Sequence, residues 1–276
     1  MHARNVVPGL TVLCGAALVA AGCREPVAPH DAGPDMAAAL AAPTAGSQIG
    51  LDQQNGTLNE RDEIVLAKGF NPTSPRLGDA IVATFFWVGP ATITAVSDFI
   101  TDANRTPVVG NTYRLVESVT SGDIHMATYV ATNVQNFPSP NPDPSVVYAV
   151  RATLSQRVSD GGVLLSAYTG VRPSFNRALG AHRSASGHDS TTILAHAGAV
   201  QYPAGAMVYA VTLSDGLVGR DPPAGLTRLT VLSDGFVVGE GSYLSSGASG
   251  SVDPQWTWYF NTPSTWLASA VVLNPH

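Results

Sequence analysis

The sequence predicts an all-β protein whose folded part is a single antiparallel β-sandwich. Short runs rich in valine, threonine, tyrosine and phenylalanine follow one another from about residue 60 onward. Many of these runs alternate apolar with small or polar residues, which is typical of strands with one buried face. No convincing long helix separates them, and the 27 glycines and 20 prolines favour frequent turns.

This composition marks the candidate strands in chain order. They are the runs EIVLAKGF, DAIVATFFWV, ATITAVSDFI, TYRLVESVTS, HMATYVATNV, SVVYAVRATLSQRV, GVLLSAYTGV, TTILAHAGAV, GAMVYAVTLSD, LTRLTVLSD, FVVGEGSYL, QWTWYF and WLASAVVLN. Ser-Asp-Gly occurs at Asp160, Asp215 and Asp234, and Asp-Gly suits the positive φ angles of tight hairpin turns. Prolines in residues 138–145 would interrupt any strand, so a surface loop is expected there.

The first residues have the features of an export signal. After the positive charge of Arg4 comes the apolar run VVPGLTVLCGAALVA, which is too short to cross a bilayer, and small residues follow it. Residues 1–22 are therefore predicted to be a signal peptide that is removed from the mature protein.

The end of this signal, LVAAGC, resembles the lipobox of bacterial lipoproteins, in which the signal is cut before a cysteine that receives lipid. The resemblance implies a lipidated Cys23 and a membrane partner reached through the acyl chains. Arg24 follows it, where inner-membrane lipoproteins have an aspartate, so the outer membrane or cell surface is the expected location. The alternative is an ordinary secretory signal, with Cys23 incidental.

Composition also bounds the partners and the chemistry. Residues 23–50 are mostly Ala, Pro and Gly and are expected to form a flexible tether for a domain at 51–276. This domain has no cysteine, which excludes disulfides and thiol catalysis. The net charge is −6 and no run of Lys or Arg occurs, so nucleic acid is not an expected partner.

Four short motifs resemble the repeated β-sandwich modules of bacterial secreted and surface proteins. They are GNTYRLVES at 110–118, TYVATNV at 128–134, VLLSAYTGV at 163–171 and WLASAVVLNP at 266–275. The resemblance implies a jelly-roll, lectin-like sandwich without a general catalytic function. It also places residues 178–192 on a Ser/Gly/Thr-rich crossing segment, and Ala167 stands where those modules usually carry an acidic residue.

The stretch with the highest density of candidate metal-binding or catalytic side chains is GAHRSASGHDSTTILAHAG. It contains His182, His188, Asp189 and His196. Zinc takes three or four tight ligands, usually with a short spacing between two of them, and these intervals match no such pattern. We therefore expect a mobile polar loop and assign no metal. The metal hypothesis requires the three imidazoles to converge on one point.

Carboxylates offer two further hypotheses. Glu117 and Glu240 are the only glutamates beyond residue 65, and a glycosidase would need two carboxylates in one cleft. Solvent-facing strand positions explain them more simply, so no catalytic residue is assigned. Asp98 and Asp102 could supply oxygen ligands to calcium, although no calcium-loop motif is present and no cofactor is expected.

Aromatic residues cluster in WTWYFNTPSTW. Exposed rings stack on sugars, whereas buried rings fill a sandwich core. We expect a half-buried strand here, with Trp258 and Trp266 in the core, and we also assign Trp87 to the core. Trp256, close to Pro254, is the expected exposed ring, and it forms the candidate ligand-binding pair with Tyr259 on the opposite face.

Together these features favour a binding or structural module at the cell surface that recognises a glycan or another envelope component. The competing hypothesis is a polysaccharide hydrolase or lyase, since sandwich folds host such enzymes and fold does not decide function. That hypothesis requires convergent carboxylates, or His125 with an Arg and a Tyr, on a concave face. A purely structural envelope protein would have neither ligand nor cleft.

Overall fold

The protein is all-β, as predicted. The computed structural model describes residues 48–58, 62–101, 106–141, 143, 145–189, 194–215, 222–233, 237–257 and 264–276. The strands are β1 (Gly50–Thr57), β2 (Glu63–Gly69), β3 (Ala80–Val88), β4 (Ile93–Thr101), β5 (Arg114–Ser121), β6 (Ile124–Ala131), β7 (Val147–Val158), β8 (Asp160–Thr169), β9 (Leu179–Asp189), β10 (Leu194–His196), β11 (Val200–Tyr202), β12 (Met207–Ser214), β13 (Thr227–Ser233), β14 (Val238–Ser245), β15 (Gly250–Val252), β16 (Gln255–Thr257) and β17 (Ser264–Leu273). One short helix, α1 (Phe175–Ala178), lies between β8 and β9 in the described part of the chain.

The strands form three antiparallel sheets and two small ribbons. Sheet I has the order β1-β8-β3-β6-β5, sheet II the order β13-β14-β12-β17-β9, and sheet III the order β2-β7-β4. The ribbons pair β10 with β16 and β11 with β15. Among the described residues, no helix is long and apolar enough to span a bilayer.

Sheet I is buried on both faces, which explains its most apolar strand. Along β3, Val82 and Phe86 belong to the core shared with sheet II, whereas Ile81 and Phe85 belong to the core shared with sheet III. A strand covered on both sides shows a continuous apolar run in place of an alternation. The run AIVATFFWV therefore reflects two layers of contacts, and Trp87 is in the core as predicted, only 5% exposed.

Sheet II is likewise covered on both faces. On β12, Tyr209 and Val211 face sheet I, while Val208 and Ala210 belong to a third core that includes residues of the ribbons. A buried hydrogen bond of 2.9 Å joins Tyr209 Oη to Thr84 Oγ1 on β3 and so connects the two large sheets. Sheets I and II thus pack face to face as sandwich layers do, and the jelly-roll assignment stays a prediction.

The histidine-rich stretch is an edge strand of sheet II, so the expected loop is wrong. Residues 179–189 form β9, which pairs antiparallel with β17, with His182 opposite Val271. Gly187 on this strand has a packing reason, because a Cβ atom there would lie 2.7 Å from the Trp266 ring. Close approach of a bulky neighbour therefore selects the same residues that favour loops.

The three Asp-Gly pairs differ in their surroundings. β7 belongs to sheet III and β8 to sheet I, so Asp160 lies at a crossing between sheets and the expected hairpin is wrong there. The strands around Asp234 do form a hairpin, with Ser233 opposite Val238, but Asp234 itself lies outside the described residues. Asp215 accepts a 2.7 Å hydrogen bond from the Thr265 backbone N–H.

Candidate functional site

Three segments of chain meet around a surface depression of about 480 Å³. The first is the connection from β8 through α1, the second is the turn before β12, and the third follows β17. The depression is lined by Arg172, Arg177, Pro203, Ala204, Asn274 and Pro275. No sequence motif marks this site, because its lining residues come from three separate parts of the chain.

Backbone hydrogen bonds hold this frame together. The N–H of Arg172 donates to the carbonyl oxygen of Asn274 at 3.2 Å. The N–H of Asn274 donates to the carbonyl oxygen of Ala178 at 2.7 Å. The side-chain amide of Asn274 also donates to the carbonyl of Arg177 at 3.1 Å. The segment that carries both arginines is therefore fixed to the segment that follows β17.

A second depression of about 180 Å³ adjoins the first and shares both arginines. It is also lined by Pro173, Ser174 and His276. Arg172 and Arg177 are exposed, and among the described residues neither guanidinium has an ion pair. Arginine guanidinium groups bind oxyanions, so two exposed arginines that line both depressions could do so here.

The three histidines do not converge. His182 Nδ1 shares a hydrogen bond of 2.6 Å with Glu117, His188 Nδ1 one of 2.9 Å with Thr265, and His196 Nδ1 one of 3.0 Å with Asp253. His182 and His188 are six residues apart on one strand, which separates them by about 20 Å. The described residues contain no group of three or more His, Cys, Asp or Glu side chains that could hold a metal ion. The side chain of Asp189 lies outside the described part of the structure.

Glu117 has a bridging role between the two large sheets. Its second oxygen accepts a hydrogen bond of 2.6 Å from Ser184 Oγ on β9, beside the contact with His182. Glu117 is on sheet I and both partners are on sheet II, so this cluster joins two edge strands. The side chain of Glu117 is only 15% exposed, and the expected solvent-facing position is wrong for it.

Glu240 lies elsewhere and is fully buried. Its neighbours Gly239 and Gly241 face Phe86 and Leu164 of sheet I, so the Glu240 side chain is on the opposite face of sheet II. There it pairs with Arg228, with 3.4 Å between Nη2 and Oε2. Burial raises the pKa of Glu240 above its ordinary value, and the positive charge of Arg228 opposes that shift. Sheet II separates the two glutamates, so they cannot flank one sugar bond.

Asp98 holds the GNTY turn in place. Its Oδ1 accepts the backbone N–H groups of Gly110 and Asn111 at 2.9 and 3.2 Å. Its Oδ2 accepts the Asn111 side-chain amide at 2.7 Å and the Tyr148 hydroxyl at 2.6 Å. The hydroxyl of Tyr113 is 2.9 Å from that of Tyr148. The GNTY residues therefore bind Asp98. Asp102, the other candidate calcium ligand, lies outside the described residues.

Trp256 is buried, 1% exposed, so its expected role as an exposed ring is wrong. The β10–β16 ribbon covers the outer face of sheet II and places Trp256 in the core there, opposite Ala195. Gln255 and Thr257 on either side are exposed, which confirms the half-buried strand. Tyr259, the other candidate ligand-binding residue, and Trp258 lie outside the described residues.

Two further predicted aromatic sites have packing roles. Trp266 is half-buried and packs against the outer core of sheet II. His125 stacks on Trp87 with 5.0 Å between ring centroids and an interplanar angle of 5°. Its Nδ1 lies 2.9 Å from Thr120 Oγ1, and burial lowers the pKa of His125.

A sequence signal for the arginine-lined depression does exist. Residues 161–188 contain Arg172, Arg177 and Arg183 but no aspartate or glutamate, in a chain with more acidic than basic residues. Residues 254–276 also contain no acidic side chain. Only the fold shows that these two acid-free segments meet.

Comparison of the sequence with protein-family models and with curated proteins finds no match, and comparison with solved structures finds none either.

Proposed function

We propose that the protein is exported, anchored through lipid on Cys23, and serves as a binding module at the cell surface. Its ligand is a glycan or another envelope component. The signal at residues 1–22, the lipobox-like LVAAGC and the Ala/Pro-rich tether support the export and the anchor. A lectin-like jelly roll, with sheets I and II as its layers, is the corresponding proposal for the fold.

One observation carries the binding function. The shallow depression around Arg172 and Arg177 is framed by hydrogen-bonded backbone, and both arginine side chains in its lining are exposed. Binding sites typically combine a concave surface with a few convergent polar groups. The frame consists of loops and strand ends, and such segments commonly carry recognition residues on a rigid scaffold.

Binding can be tested with the purified full chain in detergent, screened against a panel of polysaccharides and envelope extracts. We expect at least one ligand, and we expect the double variant Arg172→Ala/Arg177→Ala to lose it while keeping its unfolding temperature. Absence of binding across a broad panel would remove the glycan proposal and leave a purely structural role.

A further inference from the structure

Two of the chain segments that line the depression contain no aspartate or glutamate. The protein has 20 acidic and 14 basic residues, yet none of the acidic ones belongs to residues 161–188 or 254–276. A third arginine, Arg114, lies over the Phe175 ring of α1 at 4.9 Å from its centroid. Three exposed arginines in this part of the chain attract anions by their local field.

The two hollows around the arginines favour an extended ligand. Arg172 and Arg177 line both the larger and the smaller depression, so the two hollows share both arginines. A polymer that occupies both hollows would contact both arginine residues. Acidic groups repeated along such a chain could then meet the arginines in more than one register.

The remaining lining residues suit sugar rings. Pro203 and Pro275 line the larger hollow and Pro173 the smaller one, which gives flat apolar surfaces beside the cationic groups. Sugar rings have apolar C–H faces, and uronic acids add a planar carboxylate. The planar guanidinium fork matches a carboxylate with two parallel hydrogen bonds.

We infer that Arg172 and Arg177 form a binding site for the carboxylate groups of an acidic polysaccharide. The inference rests on the proposed binding function and specifies its ligand class. Neutral polysaccharides lack the group that the arginines recognise, so they bind weakly or not at all. Binding weakens as salt is added, because the recognition is ionic and exposed.

The test uses the full chain purified in detergent, with an affinity tag inserted in the predicted tether of residues 23–50 after Cys23, so that the predicted cleavage site, Pro275 and His276 are unaltered. Polygalacturonate is the carboxylated probe, dextran the neutral probe and polyphosphate the phosphate-bearing probe, each titrated by calorimetry at two salt concentrations. We expect the affinity for polygalacturonate to fall about tenfold or more in Arg172→Gln and in Arg177→Gln, as for loss of a charged hydrogen bond. Arg172→Lys keeps the charge without the fork and should show an intermediate loss.

Arg157→Gln is the matched control, because Arg157 is an exposed arginine on β7 outside the depression. It should bind polygalacturonate like the native chain. Equal binding by native protein, Arg172→Gln and Arg177→Gln would overturn the inference, and so would tighter binding of polyphosphate than of polygalacturonate. Binding of a neutral glycan that the two substitutions leave unchanged would overturn the inference alone. Failure to bind any probe or envelope extract would remove the proposed function as well.

Discussion

The backbone N–H of Arg76 donates to carboxyl oxygens of both Asp52 and Asp79, at 3.1 Å in each case. The Arg76 side chain pairs with Asp52, with 3.2 Å between Nε and Oδ1. Asp79 is only 2% exposed. Burial raises the pKa of Asp79 from 3.8 to about 8, and its hydrogen bond with Asp52 and the charge of Asp52 add to that shift.

This pair predicts a pH dependence of stability. Because the folded-state pKa of Asp79 is raised, the folded protein holds a proton between pH 3.8 and about 8 that the unfolded chain releases. The stabilisation is therefore complete below that window and is lost as the pH rises through it.

Asp79→Asn mimics the protonated acid, so it should be more stable than the native protein at pH 8, by about 2 kcal/mol or more, with a smaller gain at pH 5. Urea unfolding at both pH values measures this. Asp62→Asn, at an exposed carboxylate, is the control, and parallel pH profiles for Asp79→Asn and the native chain would contradict the assignment.

The buried pair Arg228 and Glu240 predicts a second effect. Arg228→Met leaves the Glu240 carboxylate buried without its cation and should destabilise the protein by about 2 kcal/mol, less than for a fully buried pair because Arg228 remains partly exposed. The loss should be larger at pH 8 than at pH 5, since protonation of Glu240 relieves the uncompensated charge. Adding Glu240→Gln should recover part of the stability. A double variant no more stable than Arg228→Met would show that the two side chains do not interact.

Asp98 should be essential for the stability of the GNTY turn. Asp98→Asn replaces one accepting oxygen with an amide that cannot accept the Tyr148 or Asn111 hydrogen bonds, and should cost about 2–4 kcal/mol. Tyr148→Phe removes a single donor and should cost about 1 kcal/mol. Chemical unfolding of both variants ranks them, and similar small losses would place the stability of this turn elsewhere.

The lipid anchor depends on Cys23. Metabolic labelling with a palmitate analogue should mark the native chain and not Cys23→Ala, because the domain offers no other cysteine. The variant should also leave the membrane fraction. Cys14→Ala, within the predicted signal, is the matched control and should still be labelled. Unchanged labelling of Cys23→Ala would refute the anchor.

Much of the fold was predictable from local pattern. Alternating and β-branched runs predicted the strands, because a pleated strand with one covered face requires that periodicity. The pattern was less informative for the number of layers. β3 is apolar throughout since sheets II and III cover its two faces, and a buried run of this kind does not say what lies on either side.

The errors have a common physical cause. Gly187 and its small neighbours on β9 are equally compatible with a loop and with an edge strand that lies close to Trp266. Trp256 was expected at the surface because local sequence does not show that the β10–β16 ribbon turns its ring onto sheet II. Ala167, where related-looking motifs carry an acid, is fully buried against the core of sheet III, and a carboxylate there would have no solvent.

The sequence by itself determined the all-β class and the absence of cysteine from residues 51–276, because short-range periodicity and cysteine count are local properties. Only the tertiary structure decided which side chains meet. It separated the histidines, placed Glu117 and Glu240 on opposite sides of sheet II, and brought Arg172 and Arg177 to the same hollow as Asn274. Contacts between residues a hundred positions apart follow from sheet order and layer packing, which depend on the whole chain.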